Sequence, residues 1–323
     1  MTMSRLEKRR RAKRKRFRLI LKIFIVFFST LFLLVSGSIA YLAHKIDRVS
    51  SDSPEHISDL RDESVDPNKN NFSILFLGVD DRSGNLNGLT DAIILATFNV
   101  KEGSVKMVSI PRDSYVEIPG RGYDKINHAH SYGGLKLSIE TVENLLEIPV
   151  DYYVKLNFTA FVEIIDALGG IEVDVPFTFT EMDSYDRPNA ITLYEGRQTL
   201  NGEEALAYAR MRKHDPLGDI GRGERQQEVI KAVIQKGASI SSITKYDDIL
   251  ESVEKHLETN LTFKDIVSLH KYRNSVQNFD TYLLEGNHMT IGGVYYYDLD
   301  DESLNIVKQK LKNHLEFKWR PHY

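Results

Sequence analysis

Cysteine is absent from the 323-residue chain. Neither disulfides nor thiolate metal sites are therefore available, and an exported domain has to be stable through its core alone. Several marks of familiar chemistry are missing as well. There is no GxxxxGKS/T nucleotide loop, no GxSxG nucleophile elbow, no HExxH pair and no protein-kinase set, which removes the usual signs of ATP-driven, serine-esterase and zinc-peptidase activity. Negative charge is nearly lacking from residues 1–22, where Glu7 alone faces eleven Lys and Arg. Charge of either sign is lacking from Ile23 to Ala43. About 20 apolar residues span a bilayer as one helix, and a basic N-terminal flank places that end in the cytoplasm. The run is longer than the core of a cleaved signal peptide. Residues 1–22 are thus expected as a cytoplasmic tail and 23–43 as an uncleaved signal-anchor helix, giving a single-pass cell-membrane protein with its C-terminal domain outside. Topology accounts for the basic run, so no nucleic-acid partner is expected.

Beyond the anchor, acids outnumber bases. Residues 44–71 are polar without a period and read as an extracellular stalk. From Phe72 the runs "FSILFLGVD", "DAIILATFNV" and "SVKMVSI" are β-rich and separated by turn residues. Helices are expected at 135–147, with Leu135, Ile139, Val142, Leu145 and Leu146 on one face, and at 158–168, ended by Gly169-Gly170. Asn201 to Glu204 reads as a capping box opening a helix through "EALAYARMR". Further helices are expected from about Gly223, at 245–257, at 263–274 and at 302–314, with strands at "TYLLE" and "VYYYDL". Interleaved strands and helices imply an α/β class of α-β-α type: a central mixed sheet flanked by helices, in one domain over residues 72–318.

Three polar clusters stand out. In "GVDDRSGNLNGLTDA", Asp80, Asp81 and Arg82 follow an apolar strand and Asp91 opens the next. Ligands favour the crevice at strand ends in α/β sheets, and paired carboxylates there suit a hard divalent cation; Asp and Gly making turns is the plainer reading. In the second, Arg112 and Asp113 follow a buried strand, while Lys125, Asn127, His128 and His130 fall in a Gly-rich loop. Arg112 is a fork for phosphate or carboxylate, and the two histidines are read as loop packing rather than zinc ligands. The third, "ARMRKHDPLGDIGRGERQQ", carries Arg210 and Arg212 at one helix end and Arg222, Arg225 and Gln226 at the start of the next. Converging guanidiniums at a helix N-terminus call for a multiply charged anion. The alternative is a salt-bridged surface using Asp215, Asp219 and Glu224. With no nucleotide loop and an external site, such a substrate has to bring its own phosphates.

These motifs together resemble the LytR-CpsA-Psr family of Gram-positive cell-envelope proteins. The likeness rests on Gly78-Val79-Asp80-Asp81-Arg82, Ile110-Pro111-Arg112-Asp113, Lys125-Ile126-Asn127-His128-Ala129 and Ala207-Tyr208-Ala209-Arg210, continuing to Gly221-Arg222-Gly223-Glu224-Arg225-Gln226-Gln227. One departure is Leu89-Thr90-Asp91, where such proteins often carry Arg-Ser-Asp. The resemblance implies a phosphotransferase moving an anionic glycopolymer, of wall teichoic acid or capsule type, from an undecaprenyl-pyrophosphate carrier to peptidoglycan. In that reading Asp80 and Asp91 hold Mg²⁺ (or Mn²⁺). Arg82, Arg112, Lys125, Arg210, Arg212, Arg222, Arg225 and Gln226 bind the pyrophosphate. Arg112, Arg210 and Arg212 act in catalysis, with Asp91 or Asp219 taking the acceptor proton. The apolar faces at 135–146 and 229–234 would line a polyprenyl slot, although their pattern alone fits ordinary core. Two other functions use the same residues: hydrolysis of the lipid-linked donor as a pyrophosphatase, and non-catalytic binding of phosphorylated polymer or lipid. An anchored transcriptional regulator is disfavoured, because 22 cytoplasmic residues are too few for a DNA-binding fold.

Overall fold

The computed structural model describes residues 58–81, 86–213, 215–237, 253, 255–272 and 278–318. The expected tail and anchor helix lie outside these residues, as do Arg82 and most of the helix expected at 245–257. No helix among the described residues is long and apolar enough to cross a membrane.

The chain folds in the order β1 (Phe72–Asp80), β2 (Leu89–Asn99), β3 (Ser104–Ser109), β4 (Tyr115–Ile118), β5 (Gly122–Lys125), α1 (His128–Leu146), β6 (Tyr152–Asn157), α2 (Phe158–Leu168) and β7 (Ile171–Val175). There follow β8 (Phe179–Glu181), β9 (Ile191–Leu193), β10 (Gly196–Leu200), α3 (Gly202–Arg210), α4 (Asp219–Gly237), β11 (Leu257–Thr259), α5 (Phe263–Ser268), β12 (Phe279–Leu283), β13 (Gly286–Ile291), β14 (Val294–Leu299) and α6 (Asp301–Leu315). Six strands form the central sheet in the order β11-β6-β1-β2-β3-β12. β1 pairs parallel with β6 and antiparallel with β2, and β12 runs parallel to β3, so the sheet is mixed.

Alternation along β1 and β2 sends side chains to two cores. Leu75, Leu77, Ile93 and Leu95 join Ile139, Val142 and Leu146 of α1 and Val307 and Leu311 of α6 on one face. Phe72, Ile74, Ile94 and Phe98 face the other side, with Tyr272 and the α4 residues Ile230 and Ile234. Phe72 and Phe98 stack at 4.7 Å as cross-strand partners. The expected α-β-α arrangement of a mixed sheet between helices is what forms.

Several local details depart from the sequence reading. The helix expected at 135–147 is preceded by a turn of helix from His128, with a kink at Gly133 and Gly134. The segment around Lys125 is not a Gly-rich loop: Lys125 ends β5 of the β4–β5 hairpin, and His128 and His130 lie on α1. The helix expected at 263–274 stops at Ser268 and continues as a 3₁₀ turn over Leu269–Tyr272. The last part of the expected stalk packs on the domain. Arg61 forks onto Asp151 at 2.8 Å from two nitrogens, Ser58 donates to the buried Glu143, and Tyr152 donates to the Val65 carbonyl at 2.6 Å. All three anchor points are hidden in the sequence because their partners lie 85 to 90 residues away.

Candidate functional site

A cavity of about 830 Å³ opens between the sheet strands β1, β2 and β6 and the helices α2, α3 and α4. Its inner wall is apolar: Phe76, Ile94, Leu156, Phe161, Leu206 and Ile230. Its mouth carries Asp80, Asp91, Arg112, Arg210, Arg212, Arg222 and Gln226. Residues from all three polar clusters of the sequence therefore meet on one rim. The volume lies within the ~300–1,000 Å³ usual for ligand sites.

Local chain features explain how these groups arrive. Gly78 pairs with Ala92 and Val79 with Thr90, so Asp91 is the extra residue of a β-bulge. A bulge interrupts alternation and re-aims a side chain, and Asp91 Oδ1 accepts from Arg112 at 2.5 Å. β3 ends at Ser109, and Pro111 cannot extend its ladder, which leaves Arg112 just past the strand. Burial works against the charge of Arg112, but neighbouring Asp91, with Asp113 and Asp219, raises its pKa overall. The α4 N-terminus closes onto the sheet because of its glycines. A Cβ at Gly223 would lie 2.9 Å from Ser109 Oγ, and one at Gly221 would fall 1.9 Å from the Asp215 carboxylate.

The arginines divide by their partners. Arg222 is 11% exposed and pairs with Asp219 at 2.7 Å. Its pKa is lowered, first by burial and then by the charges of Arg112 and Arg212, against the pull of Asp219 and Asp91. Arg212 is 47% exposed and 3.5 Å from the same Asp219. Arg210 lies over the Phe158 ring at 4.9 Å and pairs with Asp186 at 3.0 Å. Guanidiniums that repel one another around one opening make a receptor for an anion with several charges.

Two residues expected on the phosphate stand elsewhere. Arg225 is turned away from the rim: Nε donates to the Tyr208 carbonyl at 3.0 Å, and its two terminal nitrogens donate to Met211 and Asp215. It is a buried tie between the end of α3, the intervening loop and α4, so it leaves the clamp. Of the salt-bridge partners named as the alternative, Asp215 takes Arg225 and Asp219 takes Arg212 and Arg222, and the Arg225 pair is the most deeply buried of these. Lys125 is not on the cavity wall. It pairs with Asp113 at 2.7 Å, and Asp113 lies 3.6 Å from Arg112, so Lys125 reaches the rim only through Asp113. His130 is buried, and its Nδ1 bonds the Gly88 carbonyl at 2.8 Å. Burial lowers its pKa. His128 pairs with Asp124 at 2.9 Å.

Of the two helical faces considered for the slot, Val229 and Ile230 reach the cavity, whereas Ile139, Val142 and Leu146 belong to the core on the sheet's other face. Sequence reading missed Asn157, Phe158, Phe161 and Glu181 as wall residues. The β6–α2 junction, where an apolar strand runs straight into an apolar helix, was the one available signal.

Asp80 and Asp91 line the same cavity and supply the hard oxygen donors Mg²⁺ prefers. Among the described residues no three or more His, Asp or Glu side chains come together as a ready-made metal cage. A cation held by these two carboxylates would take its remaining ligands from substrate and water.

A family model described as the LytR_cpsA_psr family matches residues 40–313. The chain is 43% identical over 312 residues to the polyisoprenyl-teichoic acid–peptidoglycan teichoic acid transferase TagU of Bacillus licheniformis, covering 95% of this chain and 99% of that protein. A solved structure of TagT bound to LIIa-WTA superposes with TM-score 0.69 at 42% identity, over 81% of this chain and 97% of that one. A second, of TagT with bound octaprenyl pyrophosphate lipid, gives TM-score 0.64 at 39% identity, over 81% and 97%.

Proposed function

This chain belongs to the LytR_cpsA_psr family, and we propose that it transfers a teichoic-acid-type glycopolymer from a polyprenyl-pyrophosphate carrier to peptidoglycan. The carrying observation is the joining of an apolar cavity to a mouth of mutually repelling arginines. A lipid pyrophosphate has the matching polarity, with its prenyl chain within and its charges at the rim. The octaprenyl pyrophosphate bound by a relative of the same fold supports that match.

In the reaction a peptidoglycan hydroxyl attacks the phosphorus that bears the polymer. The bond from that phosphorus to the bridging oxygen breaks, and polyprenyl phosphate leaves. The proton of the hydroxyl goes to Asp91 or Asp219. Arg112, Arg210, Arg212 and Arg222, with Gln226, hold the non-bridging oxygens, since phosphoryl transfer depends mainly on positioning and charge neutralisation. Asp80 and Asp91 would hold Mg²⁺ (or Mn²⁺), which supplies further neutralisation of the pyrophosphate when bound. Residues 1–22 and 23–43 would keep the domain on the outer face of the cell membrane, where the donor lipid lies.

The test is a transfer assay with a synthetic polyprenyl-pyrophosphate disaccharide, Mg²⁺ and short peptidoglycan oligomers, read by mass spectrometry. A phosphodiester adduct that Arg112→Ala abolishes is the expected result. Release of sugar phosphate without adduct would make the protein a pyrophosphatase, and donor that binds without turning over would make it a receptor.

A further inference from the structure

An exposed aromatic group lies beside the charged rim and is used by nothing described so far. Tyr115 and Tyr123 of the β4–β5 hairpin are 5.3 Å apart, and Tyr115 meets Tyr296 of β14 edge-on at 5.1 Å. Lys125 lies between Tyr295 and Tyr296, at 5.9 and 5.6 Å from their ring centres. Tyr132 adds a further ring from the start of α1 and donates to Asp124 at 2.6 Å. Tyr115 and Tyr296 serve to pack the hairpins together. Tyr123 is 62% exposed, Tyr132 41% and Tyr295 37%, so three large rings remain in water. Clustered exposed rings mark interaction sites.

The group is tied to the catalytic rim. Lys125 holds Asp113, which sits 3.6 Å from Arg112. The Tyr297 amide donates to the Asp113 carbonyl at 2.9 Å, fixing β14 against the same residue. Tyr295 is close enough to feel the charges of Asp113, Asp219 and Arg212, although burial is the first cause of its raised pKa.

Its chemistry suits a sugar chain of sparse charge better than a polyanion. Lys125 is neutralised by Asp113, His128 bonds Asp124 at 2.9 Å, and Tyr295 bonds His288 at 2.8 Å. Rings with polar tips offer a stacking face for the axial C–H groups of a pyranose and partners for its equatorial hydroxyls. In-line phosphoryl transfer also requires the acceptor to approach from the side opposite the departing lipid phosphate. With the lipid chain in the cavity, the acceptor would come from the outer rim, the side on which Tyr295 lies near Asp219 and Arg212. Accepting the transferase reading above, we infer that Tyr123, Tyr132 and Tyr295 form the platform on which the peptidoglycan glycan strand is laid for attack.

The experiment uses the full-length protein and uncrosslinked N-acetylglucosamine–N-acetylmuramic acid oligosaccharides. Saturation-transfer NMR, irradiating aromatic protons, reads sugar contact without any need for turnover. The wild type should show transfer to ring protons of the sugar. Tyr123→Ser/Tyr295→Ser should lose it, while Tyr123→Phe/Tyr295→Phe keeps it. In the transfer assay the Ser pair should raise acceptor KM about tenfold or more and leave the donor Kd unchanged. No aromatic transfer in the wild type, or an undiminished signal in the Ser pair, overturns the platform; so does a change confined to donor Kd. Sugar contact in a protein that forms no adduct would instead retain the platform and refute the transferase reading.

Discussion

Arg222 and Arg225 are three residues apart on α4, yet their removal should have opposite consequences. Arg225 and Asp215 are each 5% exposed and bonded to one another. Arg225 also donates to the Tyr208 and Met211 carbonyls. Arg225→Met keeps most of the volume but leaves the Asp215 carboxylate buried without its cation, a loss of about 3–5 kcal/mol. For a domain of this size each kcal/mol lowers Tm by ~2–4 °C, so the midpoint should fall by about 6–20 °C. Adding Asp215→Asn removes the stranded charge and should return part of the loss, as a double-mutant cycle would register. Burial first, and then the charges of Arg112 and Arg212, lower the pKa of Arg222 although Asp219 pairs with it. Arg222→Met should therefore leave Tm unchanged or raised, while transfer falls by ~10³, the scale of a lost phosphate-contacting arginine. Thermal unfolding by circular dichroism and the transfer assay on both variants give the comparison. An Arg225→Met protein that unfolds at the wild-type temperature but cannot transfer would refute the assignment of Arg225 to structure.

Four further outcomes are expected. Burial pushes Glu143 up to about 7, against bonds from Ser58 and Val150 that favour its ionised form. Because the folded pKa is the higher one, stability should be fullest below ~4.5 and decline by ~3 kcal/mol as pH rises through 7. Urea midpoints should show Glu143→Gln without that decline. His314 is held down to about 4 by burial, with Lys106 adding to the effect, and its ring bonds the Thr97 and Ser104 hydroxyls at 2.8 Å. Its folded pKa is depressed, so its contribution is present above ~6.5 and lost as pH falls toward 4, a trend that His314→Gln should remove in the same urea series. Asp91→Asn should lower transfer by ~10²–10⁴, measured as kcat. Chelation of divalent cations should stop transfer and Mg²⁺ should restore it, read as adduct formation.

The mixed sheet and its helices were legible because their signals are local. Alternation in β1 and β2, the capping box at Asn201 and Glu204, and the Gly169 C-cap each lie within a few residues of chain. The site was legible as chemistry: guanidiniums, carboxylates and helix-breaking glycines in three motifs. The slot lining was less so. Ile139 and Ile230 carry the same apolar periodicity, and only their opposite sides of the sheet separate core from cavity wall. The stalk boundary was misplaced for a related reason, since Ser58 and Arg61 have no local partners and are held by Glu143 and Asp151.

What the sequence determined alone is the mixed strand-and-helix class and the three charged motifs, because propensity, alternation and charge act over short range. Which arginine faces the ligand was decided only in three dimensions. Arg222 and Arg225 share a helix and a charge, but carbonyls at the end of α3 and the Asp215 loop capture one of them. Bulging of β2 likewise brings Asp91 to Arg112, through pairing with β1. Such choices depend on contacts between segments distant along the chain, and the sequence pattern at each position does not encode them by itself.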